Sequence, residues 1–126
     1  MLQLAVAFLL AGSPVHSCPA QVGQGERGMI HFNETMRTAY GSPEESQKLR
    51  QVGLTTMADS DDRGRLKYDQ EILAEKVKLG YAYLDAGCRP EARAVFNEVW
   101  AKNSPEFTVY AQQAREALNL MNSKGQ

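Results

Sequence analysis

The chain has little of what a metal site or a nucleophilic active site requires. Its 126 residues include two histidines, two cysteines and one tryptophan. A closed zinc site usually takes about four Cys or His ligands, and histidine is the side chain that most often serves as a catalytic base. His16 and Cys18 are spaced like soft metal ligands, as are Met29 and His31, but neither pair makes a complete site. We therefore expect no enzyme activity, no bound metal and no cofactor.

Three common ligand motifs are also missing. The sequence has no Cys-x-x-Cys-His segment for attaching haem and no Gly-rich phosphate loop. The acidic cluster of Asp59, Asp61 and Asp62 lacks the glycine and the terminal glutamate of a calcium loop. We interpret this cluster as a polar turn between helices.

No block of like charge occurs. The 14 basic and 15 acidic side chains give a net charge of −1. Because nucleic-acid binding proteins normally carry a basic patch or stripe, we expect no nucleic-acid partner. Hydrophobic residues make up 43% of the chain, and its length suits one globular domain.

The sequence contains no apolar run long enough to span a bilayer, which takes roughly 20 residues. The run from Leu4 to Gly12 has about nine residues, and no charged side chain precedes Glu26. It fits the hydrophobic region of a secretory signal peptide, with cleavage after Ser17 or, alternatively, after Ala20. We expect residues 1–17 to be a signal peptide and the mature chain to be periplasmic or secreted. The alternative is an apolar N-terminal helix that packs on the domain.

Cys18 directly follows the expected cleavage point, and two roles are open for it. It could be acylated, as in a bacterial lipoprotein, and this lipid would be the chain's only link to a membrane. The preceding residues fit a lipidation motif poorly, because His16 replaces a small residue. Alternatively, Cys18 could form a disulfide with Cys88, the only other cysteine, in an oxidising compartment.

The N-terminal part of the mature chain favours no regular structure. Three glycines lie between Gln21 and Gly28, and the apolar residues from Met29 to Tyr40 show no firm period. Glycine-rich segments are typical of flexible linkers. We therefore expect residues 18–41 to be a flexible or irregular segment, with a loop or short helix after Met29.

Residues 42–126 carry the signals of about four helices. Ser42, Pro43 and Glu45 form a capping box with proline at the first helical position, and the polar cluster from Asp59 to Gly64 is expected to end this helix. A second helix is predicted from Leu66 to Ala86, with Gly87 as its stop. Two further helices are predicted to begin at Pro90 and Pro105. Since no alternation typical of strands persists, we expect an all-α domain of antiparallel helical hairpins.

Six residues after Leu73 stand at the spacing of a known helical repeat: Leu79, Gly80, Tyr83, Gly87, Ala92 and Phe96. With Leu73 as the first position of a repeat of about 34 residues, this pattern resembles a tetratricopeptide repeat (TPR). The resemblance implies two antiparallel helices that approach closely at the small residues and are packed by the aromatic ones.

The resemblance is partial. Lys76 replaces a usual aromatic residue, Val99 replaces a usual alanine, and Pro105 comes one position late. The next unit keeps only Tyr110 and Ala114 of the pattern. The sequence therefore predicts one TPR-like repeat followed by a capping helix.

TPR proteins hold segments of other proteins along the inner face of the first helix of each repeat. The resemblance places five residues of this chain on that face: Ala74, Val77, Tyr81, Leu84 and Asp85. Tyr81 is the strongest candidate, since an amphipathic aromatic ring gives a large contact area. Val77 and Leu84 fit core packing better, and Asp85 is also consistent with a solvated surface residue.

The sequence thus predicts a small exported helical protein that binds another protein, as an adaptor or assembly factor of the cell envelope. The alternative is a permanent structural subunit of a larger envelope complex. In that case Trp100 and Phe107, which lie near a helix junction, would belong to an interface rather than to the core.

Overall fold

The structure is a computed structural model that describes residues 18–123, so the expected signal peptide of residues 1–17 lies outside the described residues. Within this range the chain forms helices and turns and no strand. The predicted all-α fold is therefore confirmed. Five α-helices are present, with 3₁₀ turns at Thr38–Tyr40 and Pro105–Phe107: α1 Gln24–Arg37, α2 Pro43–Gln51, α3 Thr55–Asp85, α4 Arg89–Trp100 and α5 Thr108–Ser123.

The long helix α3, with 31 residues, is the centre of the fold. Helices α1 and α2 lie one after the other along α3. Both run antiparallel to α3, since later residues of α1 and α2 contact earlier residues of α3. Helix α4 returns along the C-terminal half of α3, and α5 returns along α4. The contacts that define the α1–α2 register are Arg27–Tyr83, Arg37–Asp69, Ser46–Arg65 and Arg50–Asp62.

The structure differs from the expectation for residues 18–41, since Gln24–Arg37 is a regular α-helix. Its glycines lower the intrinsic helix propensity, but tertiary packing compensates. Ile30 is buried against α3 in a cluster with Ile72 and Leu79. Arg27 also holds the start of the helix, because its guanidinium donates hydrogen bonds to the carbonyl oxygen of Val22 at 2.6 Å and to the Tyr83 hydroxyl at 3.1 Å.

The boundary between α2 and α3 also differs from the expectation. The predicted capping box is confirmed, since the Glu45 amide donates to the Ser42 hydroxyl at 3.1 Å and the Ser42 amide to the Glu45 carboxylate at 2.9 Å. The helix ends much earlier than predicted, because Gly53 takes a left-handed conformation with φ +84°. The polar cluster from Asp59 to Gly64 is not a turn but lies inside α3.

The turn between α3 and α4 follows the prediction. Gly87 has φ +81°, and the Cys88 amide donates to the Tyr83 carbonyl at 2.8 Å. This is the left-handed end that glycine favours after a helix. It reverses the chain so that α4 packs back on α3.

The main core lies between the C-terminal half of α3, α4 and α5. Phe96, Val99 and Ala114 are fully buried there, and Leu73 and Val77 contribute from α3. Trp100 and Phe107 are partly buried and pack against this core. Among residues 18–123, no helix is both long enough and apolar enough to cross a membrane.

Candidate functional site

Helices α3 and α4 pack closely where Gly80 faces Phe96. A Cβ atom on Gly80 would lie 2.5 Å from Cε1 of Phe96, which is fully buried. The ring of Phe96 therefore occupies the space that a side chain at position 80 would need. Ala92 is also fully buried in this interface. Gly80 and Ala92 thus leave room for the Phe96 ring between α3 and α4.

The five predicted partner-binding residues do not share one surface. Val77 is only 7% exposed and belongs to the main core, and Leu84 packs against that core. Val77 is therefore not available to a partner, which corrects its placement in a binding groove, while Leu84 is half-buried. Both positions agree with the core packing that these residues fit better. The physical reason is the position of α4 and α5, which cover this side of α3.

The remaining three residues, Ala74, Tyr81 and Asp85, form a surface on α3 that we call the Tyr81 face. Tyr81 and Asp85 are exposed and Ala74 is half-buried. The Tyr81 ring meets the edge of Phe96 at 5.1 Å between ring centroids, with an interplanar angle of 72°. This contact orients the tyrosine while 38% of its surface stays exposed. The ring is therefore held in one orientation while part of it stays accessible.

A second apolar surface lies on α1, in the segment for which the sequence predicts only a loop or a short helix. Met29, Phe32 and Met36 are exposed by 46%, 52% and 36%. Their spacing of three and four residues puts them on one face of the helix. We call these three residues the α1 stripe. The spacing was visible in the sequence, but the neighbouring glycines made the segment resemble a linker.

A disulfide joins the two cysteines. The sulfur atoms of Cys18 and Cys88 are 2.08 Å apart, and their Cα atoms are 5.5 Å apart. The bond fixes the start of the described chain to the turn between α3 and α4. This pairing and the lipid-anchor alternative for Cys18 exclude each other, because one sulfur atom cannot carry both a disulfide and a thioether-linked lipid.

A charged network links α2 to the first half of α3. Arg50 donates hydrogen bonds to Asp59 at 2.7 Å and to Asp62 at 2.5 Å, and the buried Arg65 bonds the Tyr40 carbonyl at 2.7 Å. Arg65 also contacts Asp62. Hydrogen bonds from Arg50 and then from Ser46 lower the pKa of Asp62, and the bond to Asp62 raises the pKa of Arg50. These paired charges hold two helices together and offer no free acid or base.

The described part of the chain contains no group of three or more His, Cys, Asp or Glu residues that could hold a metal ion. His16, one of the two histidines considered as ligands, lies outside the described residues. The candidate functional surfaces are therefore the Tyr81 face and the α1 stripe. No known family model, curated protein or solved structure matches this chain.

Proposed function

We propose that this protein binds another protein outside the cytosol, as an adaptor or assembly factor of the cell envelope. The α1 stripe is the observation that carries this proposal. Large apolar side chains that cluster on an exposed helix face are typical of protein-binding surfaces. Met29 and Met36 also suit this role because methionine side chains adapt to the shape of a partner.

The disulfide supports the proposed location. Structural disulfides persist in oxidising compartments and are rare in the cytosol. The apolar segment from Leu4 to Gly12 points in the same direction, since it fits a signal peptide. Cleavage after Ser17 would leave Cys18 at the start of the mature chain, paired with Cys88.

The packing of α3, α4 and α5 favours a TPR-like role. Gly80 lies against the Phe96 ring, Ala92 is buried in the same core as Phe96, and α5 packs on α4. One repeat and a capping helix offer a short binding surface, so the domain suits docking on one protein better than threading a long peptide. The Tyr81 face would then be a second contact beside the α1 stripe.

A capture experiment tests the proposal. The mature protein is immobilised and exposed to an envelope extract, and captured proteins are identified by mass spectrometry. We expect a defined partner whose capture is saturable and is lost in the Phe32→Ser variant. The control is Val109→Ser, which alters an apolar residue on α5 that is more exposed than Phe32, 64% against 52%.

Capture that is equal for the wild type and for Phe32→Ser would contradict the role of the α1 stripe. Absence of any saturable partner would contradict the function as a whole. Tyr81→Ala, measured in parallel, reports whether the Tyr81 face takes part.

The alternative, a permanent structural subunit of a larger complex, has less support. Under this alternative, Trp100 and Phe107 would lie in an interface, yet both pack against the main core. In addition, the Arg115 guanidinium lies over the Trp100 ring, 4.8 Å from its centroid. Size measurement of the purified mature chain separates the two functions. A stable monomer contradicts the permanent subunit, whereas a chain that folds only with other subunits favours it.

A further inference from the structure

A cleft of about 370 Å³ opens where α1, α3 and the connection from α4 to α5 meet. Its volume lies near the lower end of the range for ligand pockets. Three apolar residues lie at its base: Ile72 and Leu73 on α3 and Phe107 from the 3₁₀ turn. The first two are 9% and 5% exposed. The base therefore has room for an apolar group without any movement of the core.

Contacts between neighbouring elements hold the walls of this cleft in place. Arg37 of α1 donates to Asp69 of α3 at 2.5 Å. The Gln70 side chain donates to the Glu106 carbonyl at 3.2 Å and ties the 3₁₀ turn to α3. Lys76 of α3 contacts Glu98 of α4. The cleft is thus formed before any ligand binds, which lowers the entropic cost of binding.

The charges around the cleft are paired except for two. Arg37 pairs with Asp69, and Lys76 pairs with Glu98. Lys102, on the connection from α4 to α5, makes no ion pair or side-chain hydrogen bond within residues 18–123, and the same holds for Glu34 on α1. Within residues 18–123, Lys102 and Glu34 are therefore the lining charges without a partner, and they come from other elements than the apolar Ile72 and Leu73 of α3.

From this arrangement we infer that the cleft binds a peptide segment in which an apolar side chain stands between an acidic and a basic one. The apolar side chain would contact Ile72, Leu73 and Phe107. The acidic side chain would face Lys102, and the basic one would face Glu34. Complementary charges at an interface contribute to specificity and fix the orientation of the ligand. The inference rests on the proposed protein-binding function and adds a site separate from the α1 stripe and the Tyr81 face.

The test is an NMR titration of the isotope-labelled mature chain with short synthetic peptides in a Gly-Ser background. The central residues are Glu-Leu-Lys in the probe, and Glu-Leu-Glu, Lys-Leu-Lys and Glu-Ser-Lys in the three controls. We expect saturable shift changes at Leu73, Lys102 and Phe107 with the probe. Each exposed charge pair contributes at most about fivefold in affinity, so the single-sign peptides should bind about two- to fivefold more weakly. Replacement of leucine by serine should abolish the shift changes.

Charge reversal in the protein gives the decisive comparison. Lys102→Glu should weaken binding of Glu-Leu-Lys and strengthen binding of Lys-Leu-Lys, by about two- to fivefold in each direction. Lys102 is exposed, so this variant should fold normally. Equal binding of all charge patterns, shift changes confined to other surfaces, or no saturable change with any peptide would overturn the inference.

The outcomes for this cleft and for the proposed function can be told apart. Phe32→Ser, which should abolish partner capture, should leave peptide binding in the cleft unchanged. If the peptides fail to bind while Phe32-dependent capture persists, the cleft inference is wrong and the proposed function stands. If capture fails while the peptides bind with the expected charge preference, the cleft stands and the α1 stripe is wrong.

Discussion

Two glycines of α3 each face an aromatic ring from a neighbouring segment, but the two rings differ in their freedom to move. A Cβ on Gly64 would lie 2.2 Å from the Tyr40 ring, and a Cβ on Gly80 would lie 2.5 Å from the Phe96 ring. Tyr40 is half-buried and can shift outward, whereas Phe96 is fully buried. The cost of adding a methyl group should therefore be larger at position 80, because a packed core resists added volume.

Gly80→Ala should lower the free energy of unfolding by about 1–2 kcal/mol. Overpacking of a core costs about 1–3 kcal/mol, and the better helix propensity of alanine returns up to about 1 kcal/mol. Urea denaturation followed by circular dichroism measures the change. Gly28→Ala is the matched control, because no atom lies within 4 Å of a Cβ at that position. It should stabilise the protein by up to about 1 kcal/mol.

A double variant tests whether the ring is the cause. Phe96→Leu alone should destabilise the protein, but in the Gly80→Ala background it should cost less, because the smaller side chain makes room for the methyl group. Additive effects of the two substitutions would show that Gly80 matters for a reason other than contact with Phe96.

Asp62 should make the stability of the protein depend on pH in the acid range. Hydrogen bonds from Arg50 and Ser46 lower its pKa below the ordinary value for aspartate, about 3.9. A lowered pKa in the folded state means that the contribution of Asp62 is complete above the pKa of the unfolded chain and is lost as the pH falls through the folded pKa. The stability difference between the wild type and Asp62→Asn should therefore shrink below about pH 4.

This comparison is made by urea denaturation at a series of pH values. Arg50→Gln removes the first hydrogen-bond donor to Asp62. In that background, the pH-dependent part of the Asp62→Asn effect should be smaller. A difference between wild type and Asp62→Asn that is constant from neutral to acid pH would refute the assignment.

At the scale of the elements, the first half of α3 is a helix where the sequence predicts a polar turn. Asp61 lies in the interior of this helix, so its backbone amide should bond the carbonyl four residues earlier. Asp61→Pro removes that bond and should destabilise the protein by about 3 kcal/mol. Asp61→Ala, the control, should be neutral or stabilising. Thermal denaturation measures the change in stability. An Asp61→Pro variant as stable as the wild type would favour a turn instead of a helix at this position.

Local signals predict the parts of the fold that local residues determine. The capping box at Ser42 and the left-handed Gly87 both act within a few residues, and both appear as expected. The acidic cluster was misread because its partner, Arg50, stands nine to twelve positions away and neutralises two of its carboxylates inside a helix. Helix α1 is longer than the loop or short helix expected after Met29 for a similar reason, since burial of Ile30 against α3 outweighs the low propensity of its glycines.

The candidate sites also divide into those that local residues predict and those that depend on contacts between distant segments. Tyr81 was predicted from the repeat spacing, and the structure leaves its ring partly exposed. The resemblance placed Val77 on the groove face although core packing suited it better, and the structure shows it buried in the core under α4 and α5. The cleft beside Phe107 combines three segments that are distant in sequence. No local pattern could reveal it, because its walls come together only when α1 packs on α3.

At the scale of the whole molecule, the disulfide links the start of the described residues, at Cys18, to the turn between α3 and α4, at Cys88. It joins residues separated by 70 positions, so it encloses α1, α2 and α3 in one loop. Closing a loop of this length reduces the entropy of the unfolded chain by an amount equivalent to about 4 kcal/mol. The folded chain has other contacts across the same boundary, including Arg27 with Tyr83. It should therefore remain folded without the bond, with a lower margin of stability.

The variant Cys18→Ser/Cys88→Ser should accordingly lose about 4 kcal/mol of unfolding free energy while keeping its helical circular dichroism spectrum. Reduction should destabilise the wild type by a similar amount and leave the double variant unchanged, which separates the effect of the bond from that of the substitutions. Intact mass of the oxidised mature protein should fall by two hydrogen atoms relative to the reduced form, with no added acyl chain. A wild type that is equally stable with and without reductant would contradict the pairing. Since the same bond supports the proposed location outside the cytosol, that result would also remove the strongest structural support for export.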